Sequence, residues 1–288
     1  MDRAGLKNWA KNAFHRSYWK SVLVAFILSI VAGVGTSSSS AGGGSSSSSG
    51  STGSMSSEEA AVVAIVLLIV MAVAFVITVV ATLLKAFVFN PLQVGCQTYF
   101  CDGLYNPNPS LNDLGKGFKP NYKNVIKTMF FKDLYLFLWS LISVIPVVIA
   151  AVVAVVLVMS SADDLWIGVV ILLMILVMIP CAIPSIIKTY EYMLIPYIMA
   201  ENPDMPTKEA FKLTKHMMMG DKFNAWVLQL SFIGWHLLSL CTCGILSIFY
   251  VAPYQAYTLA AFYKAMQQKV QMQIQPQMQP GINGVYNG

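Results

Sequence analysis

His236 is the side chain in this sequence with the clearest capacity for chemistry, because it is ionisable and lies inside an apolar stretch. An ionisable group at membrane depth is a candidate for proton transfer or for binding a polar ligand. Gln229 lies about two helical turns earlier, on the same face of a continuous helix, and Trp235 is adjacent to His236. Together these residues predict a polar cavity. The alternative is a neutral imidazole that bonds to a neighbouring helix, with no pathway.

Known catalytic motifs are absent from the sequence. HExxH, GxSxG and GxxxxGK[ST] do not occur, and residues 114–117 (LGKG) lack the spacing and the hydroxyl of a phosphate loop. The five cysteines are scattered, and no set of side chains has metal-ligand spacing, so we expect no metal and no cofactor. An enzyme acting on lipid headgroups would depend on Asp133, Lys188 and Glu191. These are better explained as flanking charges, with Lys188 and Glu191 able to pair, so we expect no enzyme.

The composition indicates that lipid is the solvent for much of the chain. Hydrophobic residues make up 57% of the sequence and charged residues 11%, whereas a soluble domain carries about 25% charged residues. The apolar stretches predict an all-α, polytopic membrane protein with six transmembrane helices, near residues 21–35, 60–84, 134–159, 165–187, 223–241 and 244–265. A cleaved signal peptide is the rival interpretation of the first stretch, and the sequence leaves that choice open.

The distribution of basic residues predicts the orientation of these spans. If the N-terminus is cytosolic and the spans alternate, all 18 Lys and Arg lie on the cytosolic side. Cytosolic segments of membrane proteins carry an excess of Lys and Arg. Both termini are therefore expected in the cytosol. The prediction is an integral-membrane domain over residues 1–266, which includes an extracytoplasmic Ser/Gly-rich linker at 36–57, and a disordered cytosolic tail over 267–288.

Three basic amphipathic segments precede the first, third and fifth spans, which predicts three helical hairpins, each led by a cytosolic amphipathic helix. Asn106-Pro107 and Asn202-Pro203 support the repetition, since they stand the same number of residues before Trp139 and Trp235. In the first segment Leu6, Trp9 and Phe14 lie apart from the basic side chains, which predicts a helix lying on the membrane surface. The alternative is a cytosolic helix packed on protein.

The lysines of these three segments are the predicted contacts to anionic membrane lipid. They are Lys7, Lys11, Lys123, Lys127, Lys208 and Lys212. Such clusters also attract nucleic acid, but membrane orientation explains them fully, so we expect no nucleic-acid partner. A protein partner remains unspecified by the sequence.

Several stretches of sequence resemble a known family. The residues that carry the resemblance are ENPDMPTKEAFKLTKHMMMGDKF, LSFIGWHLLSLCTCGILSIFYVAPY, PLQVGCQTYF and NYKNVIKTMFFKDLYLFLWSLI. On these residues the chain is similar to the bacterial integral-membrane family described as domain of unknown function family 975, from about Lys7 to Lys264 apart from the linker. The resemblance implies a bacterial cytoplasmic-membrane protein. It implies no reaction and supplies no catalytic residues.

The function expected from the sequence is that of a non-enzymatic, multi-pass membrane protein that interacts with lipid or acts as a scaffold or accessory protein. The alternative is a small-solute transporter with a cavity near His236 and Gln229.

Overall fold

The computed structural model describes residues 2–36, 57–118, 121–159 and 164–274, which form helices joined by turns. In chain order the helices are α1 (Arg3–Arg16), α2 (Tyr18–Thr36), α3 (Ser57–Leu84), α4 (Asn90–Gly103), α5 (Tyr122–Met159), α6 (Asp164–Tyr192), α7 (Ile195–Glu201), α8 (Thr207–Met217), α9 (Lys222–Leu230), α10 (Ile233–Cys241) and α11 (Ala252–Ile274). Shorter helical segments are the π-helices Lys85–Phe89 and Ser247–Val251 and the 3-10 helix Leu111–Phe118. The predicted all-α class is confirmed for the described residues.

Three helices that carry proline in their first turn, α4, α7 and α11, form the centre of a packed helical body. The prolines are Pro91, Pro196 and Pro253. In α7 proline suits this position because its fixed φ matches a helix and its missing N–H would have no partner there. Each of the three helices follows a long apolar segment, and α4 and α11 do so through a π-helical turn. Their largest buried side chains are Tyr99, Phe100, Ile198, Tyr257, Phe262 and Tyr263.

The three basic amphipathic segments pack around this centre as α1, the start of α5, and α8. In α1 the buried residues are Leu6, Ala10, Ala13 and Phe14, and this face packs chiefly on α11. The apolar face that the sequence placed on lipid is therefore covered by protein, and the alternative interpretation describes α1. The helical spacing shows that an apolar face exists, but it does not identify what covers that face.

The 3-10 helix lies across α4 at unusually close range. The backbone carbonyl of Leu114 approaches Gly95, and the carbonyl of Pro91 approaches Gly117, so closely that a Cβ atom at either glycine would overlap it. Glycine allows such approach of one backbone to another because it has no side chain. These two contacts fix the 3-10 helix onto the central helix of the body.

Among the residues that the structure describes, two helices are long and apolar enough to cross a membrane. One spans Ile65–Gly103, through α3 and α4, and the other spans Tyr122–Val153 in α5. Their most apolar stretches reach mean hydropathies of 3.1 and 2.7 and expose their side chains. Tyr18–Val31 in α2 is apolar but shorter.

The third and fourth predicted spans pack as a hairpin, and α10 in the fifth predicted span also packs on the π-helix at the start of the sixth. Helices α5 and α6 pack along each other, and the Ser143 hydroxyl donates to the Cys181 carbonyl across their contact at 2.7 Å. In contrast, α2 packs mainly on α4 and α11. The predicted fifth span is divided into α9 and α10 by a turn at Ser231–Phe232.

The predicted linker and tail fall largely outside the described residues, which omit 37–56 and 275–288. However, α11 extends to Ile274 and so includes the first part of the predicted tail. Contacts explain this extension: Gln267 donates to Glu201, Lys269 pairs with Asp221, and Val270 is buried.

Candidate functional site

The three residues predicted to form a polar cavity occupy different surroundings. Gln229 accepts a hydrogen bond from the Tyr190 hydroxyl at 2.9 Å, and its amide nitrogen lies 3.5 Å from the sulfur of Met193. His236 is exposed on α10, and the Trp235 ring centroid lies 5.1 Å from that of Tyr250. Because α9 ends before α10 begins, the continuous helix assumed for a shared face is interrupted. The cavity and the transport function based on it stay predictions.

The lysines of the chain divide into two groups. Within the described residues, seven lysines form salt bridges with five carboxylates: Lys85 and Lys132 with Asp133, Lys116 with Asp113, Lys188 and Lys222 with Glu191, Lys264 with Glu201, and Lys269 with Asp221. None of the six lysines predicted to contact lipid is in this group. The salt-bridged lysines therefore serve the internal structure, whereas five of the six predicted lipid contacts are exposed.

Glu191 illustrates how the first group holds helices together. Its side chain, near the C-terminal end of α6, is only 4% exposed and receives hydrogen bonds from Lys188 at 3.0 Å and Lys222 at 2.5 Å. Burial alone would raise the pKa of the Glu191 carboxyl, but the two lysines outweigh burial and lower the pKa. The Thr214 hydroxyl donates to the Glu191 carbonyl at 2.9 Å. Glu191 therefore joins α6 to α8 and α9, and its predicted pairing with Lys188 is confirmed.

Glu201 and Asp221 make similar connections to α11. Glu201 pairs with Lys264 and accepts hydrogen bonds from the Tyr263 hydroxyl at 2.8 Å and from Gln267 at 2.9 Å. Asp221 pairs with Lys269 and accepts a hydrogen bond from Asn224 at 2.7 Å. Buried carboxylates need such partners, since an unpaired buried charge is costly. The carboxylates of Glu201 and Asp221 therefore connect other parts of the fold to α11.

The second group of lysines faces outward. Lys11, Lys123, Lys127, Lys208 and Lys212 are exposed. Lys7 differs, because it is half-buried with its ammonium 5.0 Å from the ring centroid of Phe232, and burial lowers its pKa.

Lys215 was not among the predicted lipid contacts but belongs with them. It is exposed on α8 and forms no salt bridge within the described residues. Its spacing from Lys208 and Lys212 places it on the same helical side. The helical spacing of the three lysines is the feature of the sequence that indicates Lys215 as a further lipid contact.

The cysteines divide by exposure. Cys96 and Cys101 are buried in α4, and burial raises the pKa of each to about 12, so both are protonated at neutral pH. Cys241 and Cys243 are exposed in the turn after α10. In the described part of the chain, no group of three or more His, Cys, Asp and Glu is placed to hold a metal ion.

The fold and the lysine pattern define an all-helical protein with a packed basic body and helices long and apolar enough to cross a membrane. Residues 1–270 match the family described as "Protein of unknown function (DUF975)", and the chain belongs to that family. The family resemblance noted from the sequence is thereby confirmed. No curated protein and no solved structure matches the chain.

Proposed function

We propose that this chain is a non-enzymatic, multi-pass protein of the bacterial cytoplasmic membrane whose cytosolic basic segments bind anionic lipid and which serves as a scaffold or accessory protein. The observation that carries the proposal is the division of the lysines. Lysines with carboxylate partners hold helices together, whereas those predicted to contact lipid have none within the described residues. An unpaired lysine near an anionic membrane contributes about 1 kcal/mol of attraction.

The buried apolar faces specify what kind of lipid contact this would be. Because Ala10 and Phe14 in α1 and Ala210 and Met217 in α8 are buried, these two helices do not offer an apolar face for insertion. Their attraction to lipid would be mainly electrostatic and would weaken as salt shortens the Debye length to about 3 Å at 1 M.

Six spans with both termini in the cytosol remain the proposed topology. Support comes from the two long apolar helices, from the further apolar stretches, and from the placement of all 18 Lys and Arg on one side. This topology places Cys241 and Cys243 outside the cell and the segment with Cys96 and Cys101 inside.

Thiol labelling is expected to report this topology directly. In intact cells under mild reduction, a membrane-impermeant maleimide should label the chain, and C241S/C243S should lose the label. Cys96 and Cys101 should react only after denaturation, because they are buried and protonated. Labelling of Cys241 and Cys243 that requires permeabilised cells would show that the proposed topology is wrong.

Native mass spectrometry of the full chain in mild detergent tests the function. The expected result is retained anionic phospholipid, which is lost when Lys7, Lys11, Lys123, Lys127, Lys208 and Lys212 are changed to glutamine. A stoichiometric protein subunit would support the accessory role. A bare monomer without lipid or partner would contradict the proposal.

A further inference from the structure

Two of the basic segments are joined into one surface. The Asn124 side chain, near the start of α5, donates hydrogen bonds to the carbonyls of Pro203 at 2.7 Å and Met205 at 2.8 Å, just before α8. The hydroxyls of Thr128 and Thr207 lie 2.9 Å apart. These contacts fix the beginning of α5 beside the beginning of α8.

The order of residues around α5 and α8 places their lysines on the same side of this contact. Consecutive residues of a helix are rotated by 100° about its axis. Around α5, the buried residues Val125 and Met129 are followed by the contact residues Asn124 and Thr128, and these are followed by Lys123 and Lys127. Helix α8 repeats the order, with buried residues first, Thr207 next and lysines beyond. The five lysines therefore flank one outward groove, the α5–α8 basic face: Lys123, Lys127, Lys208, Lys212 and Lys215.

The charge of this face is not neutralised locally. Glu209 and Asp204 are exposed nearby, but neither forms a salt bridge with the five lysines. The neighbouring His216 is also exposed. The face thus carries a net positive charge toward any ligand.

The basic residues of α1 and α2 differ, because several already contact protein. Arg3 donates to Asn224 at 3.4 Å, Lys7 lies over Phe232, and Lys20 donates to Asn108 at 2.5 Å. The five lysines of the α5–α8 basic face make no such side-chain contacts in the part of the chain that the structure describes. This distinguishes the face from basic residues elsewhere on the body.

The face continues directly into an apolar stripe on α5. Residues in line with Lys123 and Lys127 at helical spacing are large, apolar and exposed: Phe130, Leu134, Phe137, Leu138 and Leu141. The step from Lys127 to Phe130 is roughly 5 Å along the helix. One side of a single helix therefore changes from ammonium groups to hydrocarbon over less than one turn. A soluble acidic protein or a nucleic acid would bind the lysines and leave the apolar stripe uncovered. A phospholipid can contact the lysines with its headgroup and the stripe with its acyl chains.

We propose that the α5–α8 basic face and the stripe below it form a binding site for a phospholipid with an anionic, phosphate-bearing headgroup. The lysines contact the headgroup as point charges, and the acyl chains lie along α5 from Phe130 onward. The inference rests on the proposed lipid-binding function and narrows it to one site, with Lys7 and Lys11 outside that site.

A matched pair of variants tests the site in the full chain. Variant K123Q/K127Q/K208Q/K212Q/K215Q removes the five charges of the face, and variant R3Q/K7Q/K11Q/R16Q/K20Q removes five from α1 and α2. Phosphatidylglycerol in mixed micelles, with phosphatidylcholine as the reference lipid, is the probe. We expect affinity for phosphatidylglycerol to fall by about tenfold or more in the first variant and by less than about threefold in the second.

The other outcomes separate the two proposals. An equal loss of affinity for phosphatidylglycerol in both variants would overturn the site but not the lipid-binding function. Unchanged affinity in both variants would have the same meaning. No preferential binding of phosphatidylglycerol by the unmodified chain would overturn the lipid function itself. A third variant, F130Q, should weaken phosphatidylglycerol binding. Inorganic phosphate should not compete effectively; if it displaces the lipid at equal concentration and F130Q has no effect, the apolar stripe is not part of the site.

Discussion

Replacing Gly95 with alanine is expected to lower the free energy of unfolding by about 3 kcal/mol, the upper end of the usual range for overpacking. Most overpacked sites relax through side-chain rotation, but here the atom in the way is the Leu114 backbone carbonyl. The 3-10 helix would have to move away from α4, which is a central helix of the body. The same reasoning applies to Gly117, which faces the carbonyl of Pro91.

Gly115 provides the matched control for this prediction. It lies in the same 3-10 helix, and a Cβ atom there meets nothing within 4 Å. In thermal unfolding in detergent, followed with a thiol-reactive dye that reports exposure of Cys96 and Cys101, the apparent midpoint of Gly95→Ala should fall by roughly 10 °C. Gly115→Ala should unfold close to the unmodified chain. Equal midpoints for all three proteins would show that the 3-10 helix does not pack on α4 as described.

Changing Glu191 to glutamine is the second substitution with a large expected effect. It removes the negative charge between Lys188 and Lys222 and leaves two ammonium groups close together. Breaking a buried ion pair by removing one partner costs several kcal/mol, and we expect about 3 kcal/mol, since both lysines keep some contact with water. The exposed Glu209, which forms no salt bridge within the described residues, is the control, and Glu209→Gln should change stability by less than about 0.5 kcal/mol.

The pH dependence of stability provides an independent measurement of the same interaction. The lysines lower the folded-state pKa of Glu191 below its ordinary value of 4.5, so the carboxylate adds stability above that pH. This stability is lost as the pH falls through the folded-state pKa. The unfolding midpoint of the unmodified chain should therefore drop between neutral pH and about pH 3, and the drop should be smaller in Glu191→Gln. An identical drop in both proteins would contradict the role given to Glu191.

Local sequence patterns identified individual helices of this protein better than they identified the contacts between those helices. Helical spacing gave the amphipathic character of α1, the start of α5, and α8, and it gave the pairing of Lys188 with Glu191. It did not show that α11 covers Leu6 and Phe14, because the covering helix is at the other end of the chain. For the same reason Lys222, far from Glu191 in sequence, was not recognised as its second partner.

Helix α4 is the largest element that the sequence analysis did not identify. Its residues NPLQVGCQTYFCDG mix polar, small and aromatic types without a clear apolar stripe, so helical spacing alone does not predict a packed helix there. Tertiary packing explains the composition, since Gly95 admits the 3-10 helix, and Tyr99 and Phe100 fill the centre of the body. Such contacts depend on partners distant in sequence, which periodicity alone does not reveal.

The packing of α1 on α11 sets the order in which the protein can mature during synthesis. Helix α1 buries Ala10 and Phe14 against α11, which follows it at a great distance in the chain, so these side chains have no native partner until α11 has been synthesised. Glu201 in α7 likewise cannot form its salt bridge until Lys264 has been synthesised. Contacts between distant parts of a chain form late and slowly. The body therefore forms late, and a nascent chain halted before Ala252 exposes the face of α1 that α11 would cover.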